Sequence, residues 1–438
     1  MAEPRGRGRT RGRGRPAPGQ RIDWGSLWWG EHRLRLIVSG GGTGGHIYPA
    51  LAIARAVKEA DASAEVLYIG TRTGLEASLV PKEGLPFEAI PARGLMRRGL
   101  LRAPGSVLLA LRGVAAARRA IRRFKPDVVV GTGGYVSGPV ALAAWLEGVP
   151  LVLHEQNVYP GATNRLASRW AAVVAVPYAE VARHFPKRTR VVVTGNPVRR
   201  AVLETTPEQG RRVLGLPLDG RLVYVTGGSQ GARVLNEHVV AALPAWLAIP
   251  GVSVVFATGA RYHEAIVEAL VGRGLPVVSD LPRESAAGSG RPVARDSAAG
   301  EGGKLVVLPY LERADAALAA ADVVVTRGGA TTLAEVTARG VPAVIIPSPN
   351  VAHNEQELNS RVLGRAGAAR VVLESELAGG RVLEEVVSAL LSDDGLRLGM
   401  RRASLSLGRP EASSELAKLV LAAARRGRRR AGGRRPDR

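Results

Sequence analysis

The 438-residue chain contains no cysteine. This absence excludes structural disulfides, zinc sites built on thiolates and a cysteine nucleophile. The chain also lacks any Asp-x-Asp sequence, which is one usual way of holding a divalent ion against a nucleotide diphosphate. We therefore expect no metal site and no cofactor. The negative charge of a leaving group would be stabilised by helix dipoles, backbone N–H groups and Arg or Lys.

Long hydrophobic runs are absent as well. Arg112 and Glu147 interrupt the two longest apolar stretches, so neither reaches the roughly 18 residues of a membrane-spanning helix. The N-terminus carries charge but no apolar segment of the signal-peptide type before Trp24. These absences predict a protein that is made and kept in the cytoplasm. A hydrophobic content of 46% at this length predicts two or three domains with ample core.

Lysine is scarce, and arginine supplies nearly all of the formal net charge of +23. Residues 1–20 hold six arginines and one acid, and residues 425–438 hold eight arginines and one acid. Residues 93–125 hold nine arginines and Lys125 without any acid, so the remaining chain is nearly neutral. A general preference for Arg explains most of this pattern, and an arm for nucleic acid or anionic lipid is the alternative. We predict that residues 1–31 and 426–438 are disordered.

Short β-branched runs alternate with longer Ala/Leu/Arg-rich stretches, which is typical of parallel strands joined by crossover helices. The predicted strands are 34–39, 65–70, 128–131, 151–154, 173–176 and 191–194, then 222–226, 252–258, 304–308, 323–326, 343–346 and 370–372. We predict an α/β protein with two doubly wound domains, residues 32–195 and 196–425. Residues 280–303 have almost no large apolar side chains and indicate a surface insertion, and residues 414–425 indicate a terminal helix.

Four glycine-rich loops follow predicted strands, at residues 40–46, 131–135, 227–233 and 326–332. Glycine allows a tight turn and a close approach of ligand, and a following helix start attracts anions. Pro49 is expected to open the helix after the first loop. A purely structural turn remains the alternative for each loop. Because the carboxyl ends of parallel strands line the ligand crevice, loops from both domains are expected to face a shared cleft that holds two phosphorylated partners.

Histidine and a dense polar cluster provide the candidate chemistry. His46 directly follows the first glycine loop at a predicted helix start, where the positive helix end disfavours the protonated form. It is a candidate general base, and a histidine bound only to backbone is the alternative. Residues 154–157, with the sequence HEQN, end another predicted strand. They are either part of the site or a capped loop.

Residues 93–125, the basic strip, also contain leucines. An apolar surface ringed by cations is typical of a segment that binds anionic lipid. Residues 107–124 are expected to form mostly a solvated helix with a buried stripe. The predicted membrane-contact residues are Leu95, Met96, Arg97, Arg98, Leu100, Leu101 and Arg102.

Five motifs occur in a characteristic order. They are 41–46 (GGTGGH), 131–139 (GTGGYVSGP), 154–157 (HEQN), 195–199 (GNPVR) and 227–233 (GGSQGAR). Together they resemble the MurG family, the bacterial glycosyltransferases that add N-acetylglucosamine to lipid I in peptidoglycan synthesis. The resemblance covers about residues 33–425.

This resemblance implies a GT-B fold, with two Rossmann-like domains facing a cleft and the final helix packing back on the first domain. The second domain would bind UDP-N-acetylglucosamine, and the first would bind lipid I, the undecaprenyl-pyrophosphoryl-MurNAc-pentapeptide. The reaction would invert the anomeric centre and produce lipid II at the cytoplasmic face of the cell membrane. The expected partners are both substrates, an anionic membrane surface and other cell-wall synthesis proteins, with no nucleic acid.

The resemblance also implies roles for individual residues. His46 would be the general base for the acceptor C4 hydroxyl. The residues implied at the donor are Thr43, Gly44, Gly45, Asn157, Arg199, Ser229, Leu311, Ala330, Thr331, Thr332, Leu333, Ala334, Glu335 and Gln356. Those implied at the acceptor diphosphate are Gly42, Gly133, Gly134 and Tyr135. Two departures from the family pattern, Gly328 and the segment 353–356 (HNEQ), concern the donor sugar contacts.

Two alternatives remain open at this stage. A UDP-N-acetylglucosamine 2-epimerase has the same fold and a similar nucleotide site but needs no lipid acceptor; the basic strip and residues 154–157 argue against it. A nucleic-acid-binding protein with arginine-rich arms would account for the charge. It would leave the four glycine loops unexplained.

Overall fold

The computed structural model of the chain describes residues 33–93, 104–281 and 303–432. Several sequence predictions lie outside these residues. They are the disorder of residues 1–31, the membrane contacts at residues 95–102, nearly all of the insertion at 280–303, and the last six residues of the basic tail.

Two seven-stranded sheets, parallel throughout, form the centres of the two domains. The first runs in the order β3-β2-β1-β4-β5-β6-β7, and the second in the order β10-β11-β9-β8-β12-β13-β14. The strands of the first are β1 Arg35–Ser39, β2 Glu65–Gly70, β3 Phe87–Ala89, β4 Val128–Gly131, β5 Leu151–His154, β6 Val173–Val176 and β7 Val191–Val193. Those of the second are β8 Arg221–Thr226, β9 Val252–Ala257, β10 Val277–Val278, β11 Leu305–Leu308, β12 Val323–Thr326, β13 Ala343–Ile345 and β14 Ala369–Val371.

Helices connect the strands and cover the sheets. In the first domain they are α1 Gly44–Ala60, α2 Glu76–Lys82, α3 Pro104–Phe124, α4 Ser137–Leu146 and α5 Ala162–Ala167. In the second domain they are α6 Arg200–Glu204, α7 Pro207–Val213, α8 Arg233–Leu247, α9 His263–Val271, α10 Ala314–Ala320, α11 Ala330–Arg339 and α12 Glu355–Arg365. The last are α13 Glu374–Leu377, α14 Val382–Ser392, α15 Asp394–Leu407 and α16 Ala412–Gly432. None of the described helices has the length and hydropathy needed to span a bilayer.

The predicted α/β class with two doubly wound domains is confirmed, and all twelve predicted strands are present within a residue at each end. Each sheet is covered by apolar side chains on both faces, so its central strands are almost wholly buried. Buried parallel strands appear in sequence as nearly continuous valine-rich runs, which made them recognisable. The edge strands β3 and β10 were missed because they contain only three and two residues.

Helix α16 packs against the first sheet and helix α1, although it follows the second domain in the chain. Leu416, Val420 and Ala424 lie in the core of the first domain. The helix continues to Gly432, so the predicted disorder was wrong for residues 426–432. The reason is a tertiary contact, because Arg428 Nε donates to Asp127 Oδ1 over 2.7 Å.

The chain reversal in each sheet fixes where a ligand can bind. In the first sheet β1 lies between β2 and β4, and in the second β8 lies between β9 and β12. The direction in which the chain crosses the sheet therefore changes between β1 and β4, and again between β8 and β12. In open α/β sheets ligands bind at the carboxyl ends of the strands at such points, where the loops after these four strands lie. All four glycine-rich loops are these loops.

Candidate active site

The first two glycine loops are in direct contact. A Cβ atom on Gly134 (φ +79°) would lie 2.0 Å from the carbonyl oxygen of Gly41, and one on Gly42 (φ +88°) would lie 3.0 Å from the Tyr135 ring. A Cβ on Gly133 (φ +105°) would lie 2.9 Å from His46 Nδ1. Positive φ and absent space together exclude side chains at these positions. The two loops thus form one backbone-lined wall beside His46.

His46 lies in the first turn of α1. The backbone N–H groups of His46 and Ile47 donate to the Thr43 carbonyl, so the helix begins at Gly44 and Pro49 lies inside it. The prediction that Pro49 opens this helix was therefore wrong, because the glycine run already forms the first turn. The imidazole is half-buried, and its Nδ1 lies 3.2 Å from Gln156 Oε1. Thr43 and Gly45 beside it are exposed.

The HEQN segment is almost wholly internal. His154, Glu155 and Gln156 are 0%, 1% and 2% exposed, and Asn157 is half-buried. Glu155 is the cap of its own loop, because its carboxylate accepts from the backbone N–H groups of Gln156, Asn157 and Gly161. Burial lowers the pKa of His154 to about 4, so this imidazole is neutral at pH 7.

A buried carboxylate that sequence reasoning missed supports the first loop. Glu76 is 0% exposed and accepts from the Gly42 backbone N–H over 3.4 Å, and from Thr71 Oγ1 over 2.7 Å. Thr71 Oγ1 in turn lies 3.4 Å from the Tyr135 hydroxyl. Nothing in the sequence marks Glu76, since it stands in an ordinary amphipathic segment.

In the second domain, the third loop is open and the fourth is tightly packed. Ser229 is exposed on the third loop, just before α8. The fourth loop leads into α11, whose first residues are Ala330, Thr331, Thr332, Leu333, Ala334 and Glu335. The side chains of Leu311 and Leu333 belong to the apolar core, at 3% and 1% exposure.

Arg199 and Glu335 bind each other. Arg199 Nε donates to Glu335 Oε1 over 2.6 Å, and Nη2 donates to Oε2 over 2.9 Å. The hydrogen bonds that Arg199 donates to Glu335 raise the pKa of Arg199, and the Glu335 side chain is only 7% exposed. A carboxylate oxygen has more than one acceptor site, so Glu335 retains acceptor capacity while it is paired.

The two departures from the family pattern have different physical contexts. A Cβ on Gly328 would lie 2.3 Å from the Gln356 carbonyl oxygen, so glycine lets α12 approach the fourth loop. Next to α12, His353 and Asn354 both have positive φ, at 55° and 53°. Desolvation, and then the negative charge of Glu155, raise the pKa of Glu355. Gln356 Oε1 accepts from the Ser348 backbone N–H over 2.9 Å.

Two buried asparagines join the domains at the cleft. Asn359 Oδ1 accepts from the Val158 backbone N–H over 2.9 Å, and its Nδ2 donates to Asn157 Oδ1 over 3.0 Å and to the Gly328 carbonyl over 3.3 Å. Asn196 Nδ2 donates to the Gln156 carbonyl over 3.0 Å and reaches the Ala330 carbonyl at 3.4 Å. The HEQN segment and the fourth loop are therefore held side by side. Sequence reasoning missed Asn359, because its partners in the first domain, Asn157 and Val158, are about 200 residues away.

The comparisons with known proteins agree with this geometry. Residues 36–176 match the glycosyltransferase family 28 N-terminal domain, and residues 286–416 match the family 28 C-terminal domain. This chain is 44% and 43% identical to two relatives, from Desulforudis audaxviator and Moorella thermoacetica. Both are UDP-N-acetylglucosamine–N-acetylmuramyl-(pentapeptide) pyrophosphoryl-undecaprenol N-acetylglucosamine transferases. These alignments cover 90% and 89% of this chain and 100% and 98% of the relatives.

Two solved structures share this fold. The crystal structure of Acinetobacter baumannii MurG aligns with 89% of this chain and 99% of its own, with 28% identity and a TM-score of 0.69. A putative UDP-N-acetylglucosamine 2-epimerase from Listeria monocytogenes shares the fold, with a TM-score of 0.60 at 14% identity. The chain belongs to glycosyltransferase family 28 and, within it, to the MurG transferases.

Proposed function

We propose that this protein transfers N-acetylglucosamine from UDP-N-acetylglucosamine to the C4 hydroxyl of the N-acetylmuramyl group of lipid I, forming lipid II. The observation that carries the proposal is the junction at the cleft. Asn359 and Asn196 connect the HEQN segment, and through Gln156 the imidazole of His46, to the loop that starts α11. A base from one domain and an anion-attracting helix start from the other thereby serve one site.

The donor would lie against the second domain. The third loop offers the exposed Ser229 to the diphosphate, and the start of α11 adds its positive helix end. Arg199 would contact the diphosphate while Glu335 accepts from the ribose hydroxyls, which a carboxylate suits. Because these two residues bind each other in this structure, donor binding would exchange part of their mutual pairing for nucleotide contacts. Asn157, Gln356 and the residues Thr43 to Gly45 would surround the sugar.

The reaction follows from His46 and these helix starts. His46 Nε2 takes the proton of the acceptor C4 hydroxyl, and the oxygen attacks the anomeric carbon from the face opposite the nucleotide. The bond from that carbon to the β-phosphate oxygen breaks, and its electron pair leaves with UDP. The product therefore has the inverted β configuration. Backbone N–H groups and helix ends stabilise the charge that grows on UDP.

The acceptor would lie against the wall made by the first two loops. The half-buried glycines Gly42 and Gly134 would offer backbone to the lipid diphosphate, with the buried Gly133 and the half-buried Tyr135 beside them.

We also propose that the first domain docks peripherally on the cytoplasmic face of an anionic membrane, through the exposed apolar residues of α3 and α4. Leu108, Leu111 and Trp145 are 50%, 62% and 50% exposed on these two helices, which pack against each other. Arg112 and Arg119 are exposed on α3. This composition suits an interface of acyl chains and negative headgroups. Flotation with vesicles containing anionic lipid tests it, since replacing Leu108 and Leu111 by Ser is expected to reduce binding.

Incubation with UDP-N-acetylglucosamine and a lipid I analogue tests the central proposal. We expect a β-1,4-linked disaccharide and UDP in equal amounts. His46→Ala is expected to retain nucleotide binding and to lower turnover by roughly 10²–10⁴-fold, the usual contribution of a general base. Full turnover by this variant would exclude His46 as the base.

The remaining alternatives give different results. An epimerase would convert the sugar nucleotide without any acceptor. A nucleic-acid-binding protein would lose its function on removal of residues 1–20 and 433–438, whereas transferase activity is expected to survive that deletion because the whole described part of α16 is retained.

A further inference from the structure

We propose that Gln156 is a positioning residue that holds His46 in the tautomer with hydrogen on Nδ1, so that the Nε2 lone pair is free to accept the acceptor proton. The inference deepens the proposed function, because it rests on His46 as the base. It does not follow from the role of His46 alone, since a histidine can present either nitrogen.

The orientation of the Gln156 amide is decided by its surroundings. Its Nε2 atom lies 2.9 Å from the Thr132 carbonyl oxygen and 3.0 Å from the His154 carbonyl oxygen. Two carbonyl oxygens can only accept, so the amide nitrogen must face them. The reverse orientation would set the amide oxygen against both carbonyls. Oε1 therefore points to His46, at 3.2 Å from Nδ1.

This orientation determines the hydrogen on His46. An amide oxygen has no hydrogen to give, so the contact is a hydrogen bond only when His46 Nδ1 carries the hydrogen. In the neutral imidazole, hydrogen on Nδ1 leaves Nε2 as the proton acceptor. When Nε2 takes the proton from the acceptor, the bond from Nδ1–H to Gln156 is retained. The amide thus orients both states of the ring without adding a charge.

Gln156 is held firmly enough to impose this choice. It is 2% exposed, its backbone N–H donates to Glu155 Oε1 over 3.0 Å, and its carbonyl accepts from Asn196. The backbone of His46 is held as well, because Thr132 Oγ1 donates to the His46 carbonyl over 2.7 Å. His46 and Gln156 are 110 residues apart in the chain, so no local sequence pattern reveals their contact.

Nitrogen-15 NMR of the ligand-free full-length enzyme, labelled at histidine, measures the tautomer directly. The His46 resonances are assigned by their loss in His46→Gln. In the neutral form of the His46 ring, we expect the hydrogen to be on Nδ1. Hydrogen mainly on Nε2 in the wild-type enzyme would overturn the proposal.

Variants separate positioning from general stability. Gln156→Leu is expected to move hydrogen to Nε2 and lower kcat by roughly 10²-fold, the lower end of what a general base contributes, without changing the donor Kd. Gln156→Glu keeps an acceptor oxygen toward His46 and is expected to retain the Nδ1–H tautomer. Its second carboxylate oxygen would face the Thr132 and His154 carbonyls, so this variant is also expected to lose stability. Asn164→Ala is the matched control, because Asn164 Nδ2 donates to the same His154 carbonyl over 3.2 Å and to Glu155 Oε2 over 2.9 Å, and not to the His46 ring. It is expected to lose stability and keep the tautomer.

The outcomes distinguish this inference from the proposed function. An unchanged His46 tautomer in Gln156→Leu would refute the positioning role, whatever the activity. The expected tautomer together with a fully active His46→Ala enzyme would refute the base assignment and leave the Gln156 contact intact.

Discussion

Replacing Asn359 with alanine removes the amide that joins the two domains at the cleft. The side chain is 2% exposed and makes three hydrogen bonds: one to Asn157 of the HEQN segment, one to the next residue, Val158, and one to the fourth glycine loop. Since its partners belong to different domains, the loss acts on the arrangement of the cleft and not only on the stability of either sheet.

The size of the effect follows from what each partner can do afterwards. The Val158 residue is 4% exposed, so its N–H is left without an acceptor at a cost of about 1–3 kcal/mol. Asn157 is half-buried and can turn to water, and the Gly328 carbonyl bond is long, so these add about 1 kcal/mol. We expect the free energy of unfolding to fall by about 2–4 kcal/mol. If half of this loss is added to the activation free energy of the reaction, kcat/KM falls by about tenfold.

Urea unfolding and steady-state kinetics with both substrates measure the two effects. Asn350→Ala is the matched control, because Asn350 is exposed and lies near the same helix; it is expected to change stability by less than about 0.5 kcal/mol. Wild-type stability and kcat/KM in Asn359→Ala would refute the reasoning that this amide holds the domains in register. A loss of stability with unchanged kcat/KM would confine its role to folding.

Three further predictions concern the same region. Gly328→Ala places a methyl group against the Gln356 carbonyl oxygen and is expected to cost about 1–3 kcal/mol in urea unfolding; an unaffected protein would show that α12 can retreat. Glu335→Gln weakens the pairing with Arg199 and the acceptance of ribose hydroxyls, so the Kd of UDP by calorimetry is expected to rise by roughly tenfold or more, and an unchanged Kd would remove Glu335 from the nucleotide site. Because the pKa of His154 falls from 6.5 in the unfolded chain to about 4 in the folded one, the unfolded chain alone gains this proton between those values. Stability is therefore expected to decline by about 3 kcal/mol as the pH falls from 7 to 4, and His154→Asn is expected to flatten that decline.

The strands and glycine loops were predictable because each is a local pattern with one physical meaning. Residues 128–131, for example, are three valines and a glycine, and a run that is apolar on both faces fits only a central parallel strand. The loops that follow β1, β4, β8 and β12 were recognisable for a related reason, since glycine is required where backbone passes close to backbone.

The remaining features depend on contacts that form only after folding. Glu76 and Asn359 are ordinary polar residues in amphipathic segments, and their importance comes from Gly42, Val158 and Asn157, which fold against them. The extension of α16 beyond residue 425 likewise depends on Asp127, which lies about 300 residues earlier. Composition alone assigned that segment to a disordered tail, because arginine-rich sequence without apolar residues lacks a local reason to fold.

The most direct test is to follow UDP-N-acetylglucosamine labelled at the sugar, with and without a lipid I analogue. The account predicts that label moves to the analogue as a β-1,4-linked disaccharide, that UDP is released in equal amount, and that nothing happens to the donor when the acceptor is omitted. Conversion of the donor to another sugar nucleotide without acceptor, or retention of the α configuration in the product, would contradict it.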